Sequence, residues 1–150
     1  MAELVRTVID TAAMIAAAAR PDCGAVVLFL GTTRDHHEGH RVLRLEYEAY
    51  ESMAQRALSE LELDVTARFG VAACGIVHRL GSVAPSEASV AVVVTATHRS
   101  PAFEACRWAM DTLKRDIPIW KNEHFEDGES RWAEGTRLHP QRGVSDTEPL

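Results

Sequence analysis

The chain has 150 residues, of which 46% are hydrophobic and 25% are charged, values typical of one ordinary globular domain. A net charge of −6 argues against a general nucleic-acid binder, because neutralising phosphates needs a basic surface. No apolar run approaches the roughly 20 residues of a membrane-spanning helix. The three cysteines are widely spaced and form no metal-binding motif, so we expect reduced thiols in a cytoplasmic protein.

Hydrophobic patterning over residues 1–100 predicts strands that alternate with helices. The predicted strands are Leu4–Ile9, Ala25–Leu30, Leu43–Tyr50, Ala73–Leu80 and Ala88–Thr97, and the predicted helices are Ala12–Ala19 and Ser52–Phe69. The run Ala25–Leu30 is apolar throughout, which predicts a strand buried on both faces. Residues 32–41 are polar and without periodicity, which predicts a loop, and residues 82–87 are typical of a turn.

Residues 100–132 add a third helix and a sharp corner. Ser100 and Pro101 form a typical helix start, with serine as the N-cap and proline in the first turn. Pro118 cannot continue that helix, so the chain is expected to turn there and to leave as a short strand, Ile119–Lys121. A further turn is predicted at residues 126–129.

These elements predict an α+β fold, with a mixed, largely antiparallel sheet and packed helices in one domain over residues 1–150. The predicted hairpin between Ala73–Leu80 and Ala88–Thr97 favours this class over a doubly wound α/β fold. Trp132 is expected to be the last anchored residue. Residues 135–150 are rich in Gly, Pro, Ser and charge, which predicts a loose tail.

Basic residues stand where the predicted elements end. Lys114 and Lys121 flank the corner at Pro118. Arg34 follows a strand, and His98-Arg99 precedes a helix whose N-terminus favours anions. Each of these side chains could simply be solvated, as most lysines and arginines are. If the ends meet, they form an anion site in which repulsion lowers the pKa of a lysine and suits Lys114 to proton transfer or nucleophilic attack.

The predicted loop carries three histidines, His36, His37 and His40, that invite a metal interpretation. They lack the spacing of a helical His-x-x-x-His pair, and no carboxylates are obviously arranged around them. We predict neither a metal nor another cofactor. A metal-dependent hydrolase stays as an alternative, which an assay of bound metal would separate.

Five separated blocks contain most of these polar residues. They are residues 24–39 (GAVVLFLGTTRDHHEG), 45–50 (LEYEAY), 76–81 (IVHRLG), 98–105 (HRSPAFEA) and 113–123 (LKRDIPIWKNE), followed by Arg131-Trp132. Any one block is a weak signal. In this order they resemble the large, catalytic subunit of molybdopterin synthase, and the resemblance extends from about Gly24 to Trp132.

The resemblance implies a sulfurtransferase of molybdenum cofactor biosynthesis with an α+β fold. A small ubiquitin-like sulfur-carrier subunit would insert its C-terminal Gly-Gly thiocarboxylate into a pocket of this chain. Cyclic pyranopterin monophosphate would receive two sulfurs, one per thiocarboxylate, and become the dithiolene molybdopterin. The implied assembly is a heterotetramer, in which a homodimer of this chain carries one small subunit at each end.

The resemblance also implies roles for individual residues. Lys114 matches the family's essential lysine and Lys121 its second pocket lysine, so both are expected to be catalytic. The residues expected to bind substrate are Thr32, Thr33, Arg34, His98, Arg99, Lys114, Lys121, Asn122 and Glu123. Asn122 and Thr32 stand where some members carry basic residues, which would reduce the charge of the pocket. The alternative is a non-catalytic phosphate- or pterin-binding module.

Overall fold

A computed structural model describes residues 1–132, so the predicted tail at 135–150 lies outside the described residues. The strands are β1 (Glu3–Val5), β2 (Ala25–Thr32), β3 (His36–His37), β4 (His40–Ala49), β5 (Ala73–Arg79), β6 (Gly81–Val83), β7 (Ala88–Ala96), β8 (Ile119–Phe125) and β9 (Ser130–Trp132). The helices are α1 (Thr11–Ala18), α2 (Glu51–Phe69) and α3 (Arg99–Asp116). Within residues 1–132, no helix is both long and apolar enough to cross a membrane.

The first sheet has the strand order β1-β5-β7-β2 and carries helices on both faces. β1 runs parallel to β5, and the other neighbouring strands are antiparallel. Alternation of side chains along β7 divides the core, because Val92 and Val94 pack with α2 and α3 whereas Ala91 and Val93 pack with α1. β7 is therefore buried on both faces.

The second sheet has the order β3-β4-β8-β9, and β6 also pairs with β4. β4 and β8 are antiparallel, with Tyr47 opposite Lys121 and Leu45 opposite Glu123. The predicted α+β class and the largely antiparallel pairing are confirmed. The strands form two sheets rather than one, and α3 leads from the first sheet into β8 of the second.

The prediction that Ala25–Leu30 is buried on both faces is wrong. β2 pairs with β7 and is the outermost strand of the first sheet in the described part of the chain. Val26, Phe29 and Leu30 are 47%, 40% and 38% exposed. An apolar run shows how hydrophobic a strand is, but it does not show where that strand lies in the sheet.

The predicted loop after β2 contains a hairpin. β3 pairs with the start of β4, and the turn between them consists of Glu38 and Gly39, whose φ angles are 50° and 80°. Such turns usually begin with asparagine, aspartate or glycine, so glutamate gave no signal. A register shift between Val42 and Arg44 then buries Val42 and leaves Leu43 47% exposed, against the predicted alternation.

Four further boundaries differ from the sequence predictions. The first strand ends at Val5, β6 includes residues 82–83 of the predicted turn at 82–87, α3 begins at Arg99 before the predicted N-cap Ser100, and β8 continues to Phe125. His98 occupies the N-cap position of α3 and makes no capping hydrogen bond through its side chain. The longer β8 matters most, because its backbone pairing with β4 fixes the side chains that follow the corner at Pro118.

Candidate functional site

A cavity of about 160 Å³ lies where the end of α3, the start of β8 and the end of β2 approach one another. Its polar lining includes Thr32, Arg34, His36, His37, Tyr47, His78, Ser89, Lys114, Lys121 and Glu123, and its apolar lining includes Val42, Leu45, Val90, Met110, Leu113 and Ile119. The lining therefore combines basic and apolar side chains. Such a site suits a ligand that combines an anionic group with a flat or aliphatic part.

The corner after α3 brings the two lysines together. Lys114 lies in the last turn of α3, Ile117 leaves the helix with an extended backbone (φ −83°, ψ 133°), and Pro118 is fully buried. β8 then starts at once and is held by β4. Alternation along β8 directs Lys121 and Glu123 to the same face of the strand.

The three basic side chains of the cavity have no carboxylate partner among residues 1–132. Arg34 and Lys114 are exposed, whereas Lys121 is half-buried. None of the ion pairs in the described part of the chain includes any of the three. Their charges are available to an external anion.

Burial and like charge act together on Lys121. Burial lowers the pKa of this lysine most, and the positive charges of Lys114 and Arg34 lower it further. The Glu123 carboxylate acts in the opposite direction and raises it. The net result is a pKa of Lys121 below the ordinary lysine value.

The floor of the cavity holds a neutral histidine that sequence reasoning missed. His78 is 4% exposed, and its Nδ1 donates to the carbonyl oxygen of Arg79 at 2.9 Å. Burial lowers the pKa of His78 to about 4, and the charge of Lys121 acts in the same direction. The ring packs edge-on against Tyr47, with 5.1 Å between centroids. Because Nδ1 carries the proton, Nε2 is left as an acceptor.

A buried carboxylate closes the other side of the cavity. The side chain of Glu123 is 6% exposed, and Nδ1 of His37 lies 2.8 Å from its Oε2. The other two histidines of the hairpin have different partners: His36 lies 2.8 Å from Asp35, and His40 packs against the ring of Phe125. Among residues 1–132, no group of three or more His, Cys, Asp or Glu side chains is arranged to hold a metal ion.

Four predicted site residues do not line this cavity. His98 and Arg99 lie at the opposite end of α3 from Lys114, about 22 Å away along the helix axis. Asn122 faces away from Lys121 because neighbouring side chains of a strand alternate. Thr33 is 5% exposed, and its backbone N–H donates to the carbonyl oxygen of Glu87.

A sequence model described as "MoaE protein" matches residues 4–116. The chain belongs to the MoaE family. The sequence blocks predicted that this chain resembles the catalytic subunit of molybdopterin synthase, and this prediction is confirmed.

Individual relatives agree with this membership. A curated protein of Culex quinquefasciatus, named "Molybdopterin synthase catalytic subunit", is 42% identical over 135 residues, which cover 88% of this chain and 86% of the relative. The crystal structure of molybdopterin synthase from Staphylococcus aureus superposes with a TM-score of 0.84 at 33% identity, covering 88% of this chain and 96% of that one. A Helicobacter pylori structure is titled a protein–protein complex of subunits 1 and 2 of molybdopterin-converting factor. It superposes with a TM-score of 0.72 at 21% identity, covering 89% of this chain and 90% of that one. At this identity, the match supports the fold alone.

Replacing Lys114 by methionine should raise the pKa of Lys121, because the charge of Lys114 is one of the causes that lower it. Because its pKa is lowered, Lys121 loses its charge, and with it its affinity for anions, at a lower pH than an ordinary lysine does. In the Lys114→Met variant, this loss of charge should occur at a higher pH than in the wild type. NMR titration of the Lys121 ε-methylene group measures the shift. Arg115→Met is the matched control, since Arg115 pairs with Asp116 and is not among the charges acting on Lys121. An unchanged Lys121 titration in Lys114→Met would contradict the interpretation.

Proposed function

We propose that this chain catalyses the sulfur transfer of molybdopterin synthase, from a thiocarboxylate on a small partner subunit to cyclic pyranopterin monophosphate. The observation that carries the proposal is the cluster of Arg34, Lys114 and Lys121, three cations without an ion-pair partner among the described residues, in a half-apolar cavity of a MoaE-family chain. Both reactants are anions, and both need such a site. Two sulfurs are delivered, one by each thiocarboxylate, to form the dithiolene of molybdopterin.

The apolar and the basic residues of the cavity are proposed to have different roles. Met110, Leu113 and Val90 give an apolar surface against which the pterin ring can pack. Arg34 and Lys121 balance the charges of phosphate and thiocarboxylate, which would otherwise repel each other. Lys114 stands beside them at the end of α3. We assign it to the reacting atoms, either as an acid and base or as the transient acceptor of the acyl group.

The sulfur donor is proposed to be the C-terminal Gly-Gly thiocarboxylate of a small ubiquitin-like subunit. An extended glycine tail is narrow enough to enter a cavity of about 160 Å³ whose mouth is basic. The Culex quinquefasciatus relative is named a catalytic subunit, that is, one part of an enzyme with several subunits, which supports a partner subunit for this chain as well. We also assign the chain to the cytoplasm, where its three free cysteines would remain reduced.

A homodimer is proposed as the core of that assembly, paired through the outer edge of β2. Val26, Phe29 and Leu30 leave apolar surface exposed on this edge strand. Exposed apolar edge strands are ready sites for pairing with another chain. A second copy would cover this surface and continue the sheet.

Two-fold pairing through β2 would also give His98 and Arg99 a role. Ala25, at the start of β2, lies opposite Ala96, and β7 then leads to His98. The other end of β2 reaches Thr32 in the cavity lining, about 24 Å further along. When the β2 strands of two copies pair antiparallel, the start of β2 in one copy lies beside the end of β2 in the other copy. His98 and Arg99 of one copy would thus approach the cavity of the other copy, where they would join Arg34 and Lys121 in binding the substrate phosphate.

Lys114→Ala should abolish sulfur transfer and leave the fold intact, because Lys114 is exposed and makes no ion pair within residues 1–132. The assay is reconstitution with thiocarboxylated small subunit and cyclic pyranopterin monophosphate, scored by dithiolene formation. Arg115→Ala, in the same helical turn, should keep near-normal turnover. Turnover by Lys114→Ala at the level of this control would refute the catalytic assignment.

Mixing two inactive variants tests the shared cavity. Subunits with Lys114→Ala and subunits with Arg99→Ala, unfolded and refolded together, should regain about a quarter of wild-type turnover, since half of the dimers are mixed and each has one intact cavity. A mixture of Lys114→Ala with Lys121→Ala is the control and should regain nothing, because both residues belong to the same cavity. No recovery in the first mixture would contradict a contribution of Arg99 across the dimer.

A further inference from the structure

Glu123 binds an unexpected partner. This residue is 4% exposed and lines a cavity with three cations, yet its ion-pair partner within residues 1–132 is a histidine. Nδ1 of His37 lies 2.9 Å from Oε1 and 2.8 Å from Oε2 of Glu123. Lys121, two residues away on the same face of β8, is not within ion-pair distance of it.

The choice of partner matters because Glu123 competes with any anionic ligand. Its charge acts on Lys121 already, in the direction that favours the charged lysine. A buried carboxylate without a hydrogen-bond donor is strongly disfavoured, so it would seek the nearest cation. If Lys121 formed an ion pair with Glu123, the two charges would neutralise each other. The cavity would then have one fewer cation to bind an anionic substrate.

His37 is held in place from both sides. Its Nε2 lies 3.6 Å from a carboxylate oxygen of Glu38, and Glu38 in turn accepts from Arg131 at 3.3 Å. Arg131 lies on β9 directly opposite Glu123 on β8. The imidazole is thus fixed between the hairpin turn and the second sheet. Its Nδ1–H can donate to Glu123 whether the ring is neutral or protonated.

We propose that His37 is a positioning residue that holds Glu123 away from Lys121 and so keeps the basic side of the cavity free for the anionic substrate. The inference rests on the proposed function for the identity of that anion. It assigns His37 to substrate affinity and leaves the chemical step to the lysines. Residues of the same hairpin that do not contact Glu123 have no such role.

The test compares three changes at this contact in the reconstituted synthase. His37→Ala should raise KM for cyclic pyranopterin monophosphate about tenfold, with a change in kcat of less than about threefold, because ground-state binding of the anion is what is lost. His37→Asn, whose amide nitrogen stands near the position of Nδ1, should return KM to within about threefold of wild type. His37→Ala combined with Glu123→Gln should also recover affinity, because the competing charge is gone.

His40→Ala is the matched control. His40 belongs to the same hairpin and packs on Phe125, so its loss disturbs the hairpin without touching Glu123. KM should stay near the wild-type value in this variant. Equal KM values in wild type and His37→Ala would overturn the proposal. So would a double variant as weak as His37→Ala alone, which would mean that His37 only stabilises the hairpin.

A second readout separates this inference from the proposed function. Binding of inorganic phosphate to the isolated protein, measured by calorimetry, needs neither partner subunit nor turnover. Weaker phosphate binding in His37→Ala, restored by Glu123→Gln in the same chain, supports the inference even if the wild-type protein forms no dithiolene. Normal turnover together with unchanged phosphate binding in His37→Ala would reject the inference and keep the function.

Discussion

The structure of the site depends on a backbone constraint at Pro118. Proline cannot extend α3, and the residue before it is confined to extended geometry, so the helix ends at Asp116 and β8 begins at Ile119. Full burial of Pro118 fixes the corner within the core. The last turn of a helix and the first residues of a strand are thereby held side by side. Lys114 and Lys121 approach each other because neither element can move independently.

This arrangement places like charges together in a partly desolvated cavity, which costs stability. Burial and the neighbouring cations both act against the charge on Lys121, whereas Glu123 favours it. Because Glu123 is hydrogen-bonded to His37 and forms no ion pair with Lys121, this cost is only partly compensated until an anion binds. Active sites commonly retain such unfavourable electrostatics, because the binding of a ligand or transition state relieves them.

Sequence patterns identified local features well and long-range relationships poorly. The corner and the positions of the two lysines beside it follow from proline geometry. Strand alternation is enough to calculate that Asn122 faces away from Lys121. The helical rise per residue is enough to calculate that His98 lies far from Lys114. The pairing of His37 with Glu123 was not, because 86 positions separate them and neither lies in a recognisable pattern. The edge position of β2 and the burial of His78 depend likewise on strand order, which hydrophobicity does not encode.

The proposed role of this corner is that its cations bind one anionic substrate while Glu123 remains hydrogen-bonded to His37. A crystal structure of the protein with cyclic pyranopterin monophosphate bound would decide this. An anionic oxygen of the ligand should lie within about 3 Å of the Lys121 ammonium, with the His37–Glu123 contact retained. A ligand bound away from this cavity, or an ion pair between Lys121 and Glu123 in its presence, would refute the proposed role.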